Sequence, residues 1–394
     1  MNLPRLAQAP ASGRGRAHRL SLIVHDDGPV FAGTHLLRCT LGYPLVRGAR
    51  GMTAAEWEVF MSLDVFVMCN ALFDLQASVD EGVLAELGLE KGSMRLIDRD
   101  LLHHLLPQIT PYIVNREPGG SGANTAFGVA LLGGKACFTS HVGADEFGDL
   151  YRQGLIARGV KANLGVEPGD TGVCAVLVTP DAQRTMATCL GRSRDLVPGD
   201  VDVKDLRSAR YLYVTAYLWD TPNQKEAVLF ALAEARRAGV RVAISLSDTF
   251  CVLRHRDELA RLIQEYAHVV FGNGDEACEL TGSGDVFAAS GILADWVDTV
   301  VITLGAKGSL IRRASQVYSV PARAVDAIDT TGAGDMYAAG FLYGLARDLP
   351  LPECGRIGAH AAAEVVARMG PRLPSLDVHA IVGGAPGMEN RRQT

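Results

Sequence analysis

Short apolar runs alternate with longer amphipathic stretches over most of the chain beyond Met61. The runs are rich in β-branched residues and predict strands at 65–69, 135–142, 211–215, 240–246, 268–271, 299–303 and 309–312. The stretches between them predict helices, notably at 124–132, 145–158, 223–238, 254–265 and 335–346. Near-continuous apolar strands that alternate with helices are typical of a mostly parallel sheet covered on both faces.

Two stretches, 75–115 and 171–190, do not fit this alternation. The second contains an apolar run at 173–179, a turn at Pro180-Asp181 and a return strand at 184–190, which together predict a hairpin. Such strands either form a small lid over a site or extend an ordinary antiparallel sheet edge. The pattern leaves both interpretations open.

The two ends of the chain differ from its middle. Residues 1–50 are rich in arginine and lack helix or strand periodicity, and the apolar run at 20–24 is shorter than the roughly 7–15 residues of a signal peptide. We expect residues 1–60 to be a poorly ordered extension that is dispensable for the chemistry. A simple explanation is that translation starts near Met61. The folded domain is expected at 61–384 and a loose tail at 385–394.

Composition narrows the classes of function. The 394 residues are 48% hydrophobic and 21% charged, and the net charge of −6 argues against a general nucleic-acid binder, which carries a basic face. The eight cysteines are scattered without metal-ligand spacing, so we expect no structural zinc and a reducing cytoplasm. No apolar run approaches the ~18 residues that a membrane span requires.

The strongest chemical signal is the segment 329–335, Asp-Thr-Thr-Gly-Ala-Gly-Asp, followed by a small-residue helix pattern. A glycine-rich turn at a helix N-terminus presents unpaired N–H groups at the positive end of the helix dipole, which suits a phosphoryl group gathering charge. Asp335 lies in the first helical turn, where an ionised carboxylate can deprotonate a hydroxyl. The plainer alternative is that Asp335 caps the helix and the glycines only turn the chain.

The whole segment resembles the second signature of the ribokinase-like, or PfkB-type, family of carbohydrate and nucleoside kinases. The resemblance covers about residues 62–375. It implies a ribokinase-like three-layer α/β/α sandwich with a mostly parallel central sheet and a small β-lid. It also implies ATP and Mg²⁺ as cofactors, an anion hole formed by Gly332, Ala333 and Gly334, and Asp335 as the catalytic base.

Two further segments match the substrate side of that family. The segment 118–124, Pro-Gly-Gly-Ser-Gly-Ala-Asn, is similar to the first signature, whose glycines let a sugar approach the backbone. The segment 70–74, Asn-Ala-Leu-Phe-Asp, is similar to the opening motif, whose aspartate accepts hydrogen bonds from two vicinal hydroxyls. The resemblance thus assigns substrate contacts to Asn70, Asp74, Gly119, Gly120, Ser121 and Asn124.

The nucleotide side is matched by two more segments. Asn273 and Glu276 resemble the family's Asn-x-x-Glu motif, in which the glutamate holds Mg²⁺ through water. The turn at 303–308 resembles the nucleotide-binding turn, with Thr303, Gly305 and Gly308 admitting the ATP ribose and base. Asp329 and the carbonyl of Thr331 occupy positions that hold a monovalent cation such as K⁺ in many members, although nothing in the residue types proves a potassium site.

The acceptor is a nucleoside or a sugar, and the resemblance to the adenosine-kinase-like branch favours adenosine. A sugar such as ribose or fructose is the first alternative and inosine or guanosine the next. A slot for the base could be lined by Phe73, Tyr217, Trp219 and Phe250, although each of them, taken singly, fits a core position better than a slot. A non-catalytic nucleotide sensor is a hypothesis of a different class. We expect a monomer or a homodimer.

Overall fold

The computed structural model describes residues 62–181 and 183–376. The predicted extension at 1–60 and the predicted tail at 385–394 lie outside the described residues. Within the described ranges, no helix is long and apolar enough to cross a membrane.

The described strands belong to two sheets. In chain order they are β1 Leu63–Met68, β2 Leu72–Ser78, β3 Met94–Leu96, β4 Ile113–Gly119, β5 Ala136–Gly143, β6 Lys161–Glu167, β7 Gly172–Val178, β8 Arg184–Cys189, β9 Ala209–Thr215, β10 Arg241–Ser245, β11 Val269–Asn273, β12 Thr299–Thr303, β13 Ser309–Arg313 and β14 Gln316–Val320.

The α-helices flank these strands. In chain order they are α1 Glu81–Glu86, α2 Arg99–Ile109, α3 Ser121–Leu131, α4 Glu146–Ala157, α5 Val203–Ser208, α6 Pro222–Ala238, α7 Thr249–Tyr266, α8 Gly274–Thr281, α9 Val286–Ala294, α10 Ala333–Leu345 and α11 Leu351–Val366. Short 3₁₀ turns lie at Thr110–Tyr112, Gly191–Asp195, Pro198–Asp200, Ala216–Trp219 and Gly305–Lys307.

The central sheet has nine strands in the order β14-β13-β12-β11-β10-β9-β1-β5-β6. The strands from β12 to β6 pair in parallel, and β13 and β14 continue the sheet in antiparallel pairing. All seven predicted strands lie in this sheet. β6 and β14 were not predicted, because edge strands with one solvated face carry too few apolar residues to stand out.

Strand β1 shows how the layers form, because successive side chains of a strand point to opposite faces. Val65 and Val67 pack into one apolar cluster together with residues of α3, α4, α10 and α11. Phe66 and Met68 pack into a second cluster together with residues of α6, α7, α8 and α9. The predicted three-layer α/β/α sandwich around a mostly parallel sheet is confirmed.

The second sheet is small and has the order β3-β8-β7-β2-β4. Its strands come from the two stretches that did not fit the alternation, so the predicted hairpin belongs to a separate lid sheet and not to an edge of the central one. The lid strands extend a little beyond the predicted segments, since β2 begins at Leu72 and β4 ends at Gly119. Three residues, 69–71, connect β1 to β2, so the chain passes directly from the central sheet to the lid sheet.

Helices α10 and α11 pack closely together where Gly340 meets Gly358. A Cβ atom added to Gly340 would lie 2.8 Å from the Cα and the N of Gly358. Such a distance leaves no room for a side chain, so the packing of these two helices depends on glycine at this contact.

Gly340→Val should therefore lower the free energy of unfolding by about 1–3 kcal/mol, the usual cost of overpacking a filled core. Gly284→Ala is the matched control, because Gly284 is exposed and nothing lies within 4 Å of its added Cβ; its change should stay within about 0.5 kcal/mol. Urea unfolding of both variants measures the difference. Equal stability of the two variants would contradict the helix contact.

Candidate active site

A cavity of about 270 Å³ lies at the carboxyl ends of the parallel strands. Ser245, Asn273 and Thr303, the last residues of β10, β11 and β12, contribute to its wall together with the start of α10. In open α/β sheets, ligands bind outside the carboxyl ends of the strands, so this cavity is the candidate site.

Asp335 is held at the wall of the cavity by another helix. Its Oδ1 accepts a hydrogen bond of 2.6 Å from the Ser121 hydroxyl, and its Oδ2 accepts one of 2.8 Å from the Asn124 amide. Both donors lie in the first turns of α3. A helix cap would instead accept amides of its own helix, so the contacts do not support the interpretation of Asp335 as a simple cap.

Burial raises the pKa of Asp335, and the hydrogen bonds from Ser121 and Asn124 hold this rise back. The helix dipole alone would lower the pKa of this carboxyl. Since the pKa is raised, desolvation outweighs the dipole here. A carboxylate whose pKa lies above its usual range is a stronger base for a hydroxyl proton.

The turn before Asp335 lines the cavity. Gly332 caps α10 with a φ of +74°, a conformation that favours glycine, and an added Cβ would lie 2.7 Å from Pro371. Gly334 is exposed, with open space where a Cβ would be. The Ala333 amide donates to the Thr330 carbonyl at 3.3 Å. The other N–H groups at the start of this helix have no intrahelical acceptor, so the turn can receive an anion, and an anion hole that includes Ala333 remains a prediction.

On the lid side, Asp74 lies against Gly119, the last residue of β4. A Cβ added to Gly119 would fall 1.9 Å from Oδ2 of Asp74, so only glycine leaves space for this carboxylate. Gly120 has a φ of +85°, and its Cβ would lie 2.7 Å from the Asn70 carbonyl. Burial raises the pKa of Asp74 to about 7; the Arg372 charge opposes the rise, and Glu117 and Asp335 add to it.

Three of the predicted substrate residues have other partners in this structure. The Asn70 side chain accepts from Gln224 at 2.6 Å and donates to the Tyr217 carbonyl at 3.4 Å. Ser121 and Asn124 both donate to Asp335; Asn124 is 4% exposed, and its Oδ1 has no hydrogen-bond partner. Contacts of all six predicted residues with a substrate remain predictions.

Arg372 was not predicted, yet it lies beside Asp74. Its side chain is only 7% exposed, donates to the Pro118 carbonyl, and lies 3.8 Å from Glu117 and 3.8 Å from the Phe127 ring centre. Burial lowers its pKa to about 10. A lone arginine beyond the last helix carries no local pattern, so only the tertiary structure brings it to the site.

The nucleotide-side residues divide into two groups. Asn273 and Glu276 form a capping box at the start of α8, in which Glu276 also accepts from the Asn273 side chain at 2.7 Å. Both line the cavity, as does Thr303. Gly305 and Gly308 lie beyond it in the turn between β12 and β13, so their contact with a nucleotide remains a prediction.

The cavity is acidic. Burial raises the pKa of Glu276 to about 7, and the charges of Asp248, Asp275 and Asp335 add to the rise. None of the described residues that line the cavity is a lysine or arginine. Within the described ranges, no cluster of three or more His, Cys, Asp or Glu residues could hold a metal by itself. Such a site fits a Mg²⁺ ion whose ligands are mainly phosphate oxygens and water, with one carboxylate in addition.

Asp329 and Thr331, the residues proposed for a monovalent cation, lie together just outside the cavity. Asp329 accepts from the Thr331 hydroxyl at 2.6 Å. Arg184, at the start of lid strand β8, contacts the same carboxylate at 2.9 Å. Arg184 was also missed in the sequence, because a strand-end arginine has no distinctive pattern.

None of the four aromatic residues suggested for a base slot lines the cavity. Phe73 is 2% exposed and stacks on Phe147, and Trp219 is 4% exposed and donates to Glu258. Phe250 is 51% exposed, with the Arg254 guanidinium 4.1 Å from its ring centre. Phe73 and Trp219 are therefore core residues, whereas Phe250 remains available to a ligand.

A larger groove of about 800 Å³ opens at the amino ends of β10, β11 and β12. Four of its charged residues already form pairs, Arg241 with Asp298 at 3.4 Å and Arg236 with Glu265 at 3.6 Å. The groups converge on no common point, so we place the chemistry in the smaller cavity.

Known proteins share this arrangement. The pfkB family carbohydrate kinase pattern matches residues 106–378. Aminoimidazole riboside kinase from Salmonella typhimurium is 32% identical over 237 residues, which are 58% of this chain and 74% of that enzyme. The crystal structure of adenosine kinase from Sinorhizobium meliloti is 36% identical with a TM-score of 0.75, over 79% of this chain and 96% of that one.

The crystal structure of a probable sugar kinase from Rhizobium etli is 34% identical with a TM-score of 0.76, over 80% of this chain and 96% of that one. The family pattern covers more than half of the chain. These matches confirm the resemblance seen in the motifs: the chain belongs to the pfkB family of carbohydrate kinases.

Proposed function

We propose that this kinase transfers the γ-phosphoryl group of ATP to the 5′-hydroxyl of a nucleoside, with adenosine as the first candidate. The observation that carries the proposal is the position of Asp335. Its carboxylate is fixed by Ser121 and Asn124 at the start of α3, beside the glycine-rich turn at 332–334, and both line the cavity. A base and an anion hole thus share one wall.

Asp335 acts as the general base. It removes the proton of the attacking hydroxyl while the oxygen bonds to the γ-phosphorus and the bond from that phosphorus to the β,γ-bridging oxygen breaks. The turn at 332–334 stabilises the charge on the transferring group through the free amides at the N-terminus of α10, because donors that are fixed before the reaction need no reorganisation. ADP leaves with the bridging oxygen.

Asp74 orients the acceptor. It lies against Gly119, whose missing side chain leaves room for the carboxylate, and the residue is only partly buried. An ionised carboxylate accepts hydrogen bonds from two adjacent hydroxyls, as the 2′- and 3′-hydroxyls of a ribose provide. Arg372 supports the ionised form, since its charge lowers the pKa that burial raises.

Glu276 and its neighbours would receive Mg²⁺ together with ATP. The cavity has acidic side chains and no lining lysine or arginine among the described residues, so the nucleotide's own negative charge needs a cation. When bound, Mg²⁺ neutralises phosphate charge. Glu276, Asn273 and Thr303 would contact the bound nucleotide.

The nucleoside is favoured over a free sugar by the strand end at 245–250, since the adenosine kinase from Sinorhizobium meliloti and the probable sugar kinase from Rhizobium etli both match over 96% of their length. The strand end at 245–250, whose Leu-Ser-x-x-Phe pattern resembles adenosine kinases, places Ser245 and Ser247 on the cavity wall and leaves Phe250 exposed for a base to stack on. The similar probable sugar kinase keeps ribose and fructose as the alternative acceptors.

ADP production from Mg-ATP tests the acceptor, with adenosine, inosine, guanosine, cytidine, ribose and fructose offered separately. We expect adenosine to give the highest kcat/KM. Turnover with only a free sugar would agree with the proposed mechanism but would contradict a nucleoside as the acceptor. ATP binding without turnover on any acceptor would favour a nucleotide sensor.

Asp335→Asn should lower kcat by about 10²–10⁴-fold, the contribution typical of a general base, and should leave the KM values nearly unchanged. Steady-state kinetics with saturating Mg-ATP measure both constants. Asp326→Asn is the matched control, because Asp326 is an exposed acid in the same stretch. Normal turnover by the Asp335→Asn variant would show that Asp335 is not the general base.

The KM for the acceptor should fall as pH rises, because the pKa of Asp74 is about 7 and its ionised form binds hydroxyls. Between about pH 6 and pH 8 the ionised fraction, and hence the affinity, rises about tenfold. The measurement is made with saturating Mg-ATP, so that titration of Glu276 does not enter. Asp74→Asn should abolish this pH dependence, and Asp80→Asn, which changes an exposed lid acid, should keep it. A wild-type acceptor KM that does not vary with pH would contradict the role of Asp74.

A further inference from the structure

Asp329 is a buried carboxylate at the start of the glycine-rich turn. Only 6% of the residue is exposed. Its Oδ1 accepts from the Thr331 amide at 2.8 Å and from the Thr331 hydroxyl at 2.6 Å. Its Oδ2 accepts from the Gly370 amide at 2.9 Å. These bonds connect the turn to the segment that follows α11.

The fourth donor comes from the lid sheet. Nη1 of Arg184 lies 2.9 Å from Oδ1 of Asp329, and Nη2 donates to the Thr330 hydroxyl at 2.8 Å. Arg184 is the first residue of β8. The buried carboxylate is therefore paired with a full positive charge that belongs to the protein.

This arrangement does not fit the K⁺ ion that the family resemblance suggested for Asp329 and Thr331. Three donors contact Oδ1 of Asp329 and one contacts Oδ2, so the lone pairs of Oδ1 are fully used. Burial opposes the ionisation of Asp329, but the bonds from Thr331 and Gly370 and the charge of Arg184 outweigh it and lower its pKa. The charge of Asp329 and the acceptor capacity of its Oδ1 are satisfied without an added cation.

We propose that the Arg184 guanidinium takes the place of the monovalent cation at Asp329, so that phosphoryl transfer needs no K⁺. A tethered charge is always present, whereas a bound ion depends on its concentration. Since Arg184 lies on a lid strand, the same ion pair also connects the lid sheet to the turn that carries residues 332–334. Arg184 is thus a positioning residue for the anion hole.

The kinetic test rests on the proposed phosphoryl transfer and compares KCl with tetramethylammonium chloride at equal ionic strength. Wild-type rates in the two salts should agree within about twofold, the margin left to general salt effects. Arg184→Met should be slower by about tenfold or more in tetramethylammonium, because a buried carboxylate loses its partner, and K⁺ should restore part of the rate.

Arg192→Met is the matched control. Arg192 follows the same lid strand and pairs with Asp195 at 2.7 Å, but both of these side chains are about a third exposed. This variant should keep the wild-type rate in both salts. Arg184→Lys retains a positive charge and should need no K⁺, which provides a second test if the methionine variant does not fold.

Thermal unfolding provides a readout that does not depend on activity. K⁺ should raise the Tm of Arg184→Met relative to tetramethylammonium and leave the Tm of the wild type and of Arg192→Met unchanged. If the protein phosphorylates no acceptor, the proposed function fails while this thermal difference persists. The inference is overturned if K⁺ activates the wild type or Arg184→Lys beyond the twofold margin, or if K⁺ changes neither the rate nor the Tm of Arg184→Met.

Discussion

The contact between α3 and α10 positions everything else at the site. An added Cβ on Gly128 of α3 would lie 2.5 Å from the Ala339 Cβ of α10, so the two helices touch backbone to side chain. At their N-terminal ends the same pair is joined by the bonds from Ser121 and Asn124 to Asp335. Each helix follows a glycine with positive φ, which lets the chain turn sharply into its first residue. Small residues therefore bring two helix N-termini, with their unpaired amides, to one carboxylate.

Charge is distributed unevenly around this point. The cavity wall carries Asp335 and Glu276, whose pKa values are raised by burial, with neighbouring acids adding to the rise at Glu276. Two arginines lie just outside the cavity, Arg372 beside Asp74 and Arg184 on Asp329. The arginines thus balance carboxylates of the protein, and the cavity itself is left to receive a nucleotide with its own cation.

Much of this arrangement could be predicted from the sequence, because its signals are local. The apolar strands and the glycine-rich turn at 329–335 depend on neighbouring residues, and they predicted the layers of the fold and the position of Asp335 beside an open turn. Arg184 and Arg372 could not be found in this way, since their partners Asp329 and Glu117 lie far away in the chain and such pairing leaves no periodic pattern. The sequence also could not show that the Asn70 side chain is engaged by Gln224, because that contact arises only when α6 packs near the end of β1.

In the proposed reaction, Asp335 activates a hydroxymethyl oxygen of a nucleoside, which then receives the γ-phosphoryl group. Proton-coupled ³¹P NMR of a reaction with Mg-ATP and adenosine tests this transfer directly, because the coupling pattern reports the carbon that bears the new ester. We expect a phosphomonoester signal split into a triplet by the two 5′ protons, growing in step with ADP. A doublet, which a 2′- or 3′-ester gives, or inorganic phosphate with no ester at all, would contradict it.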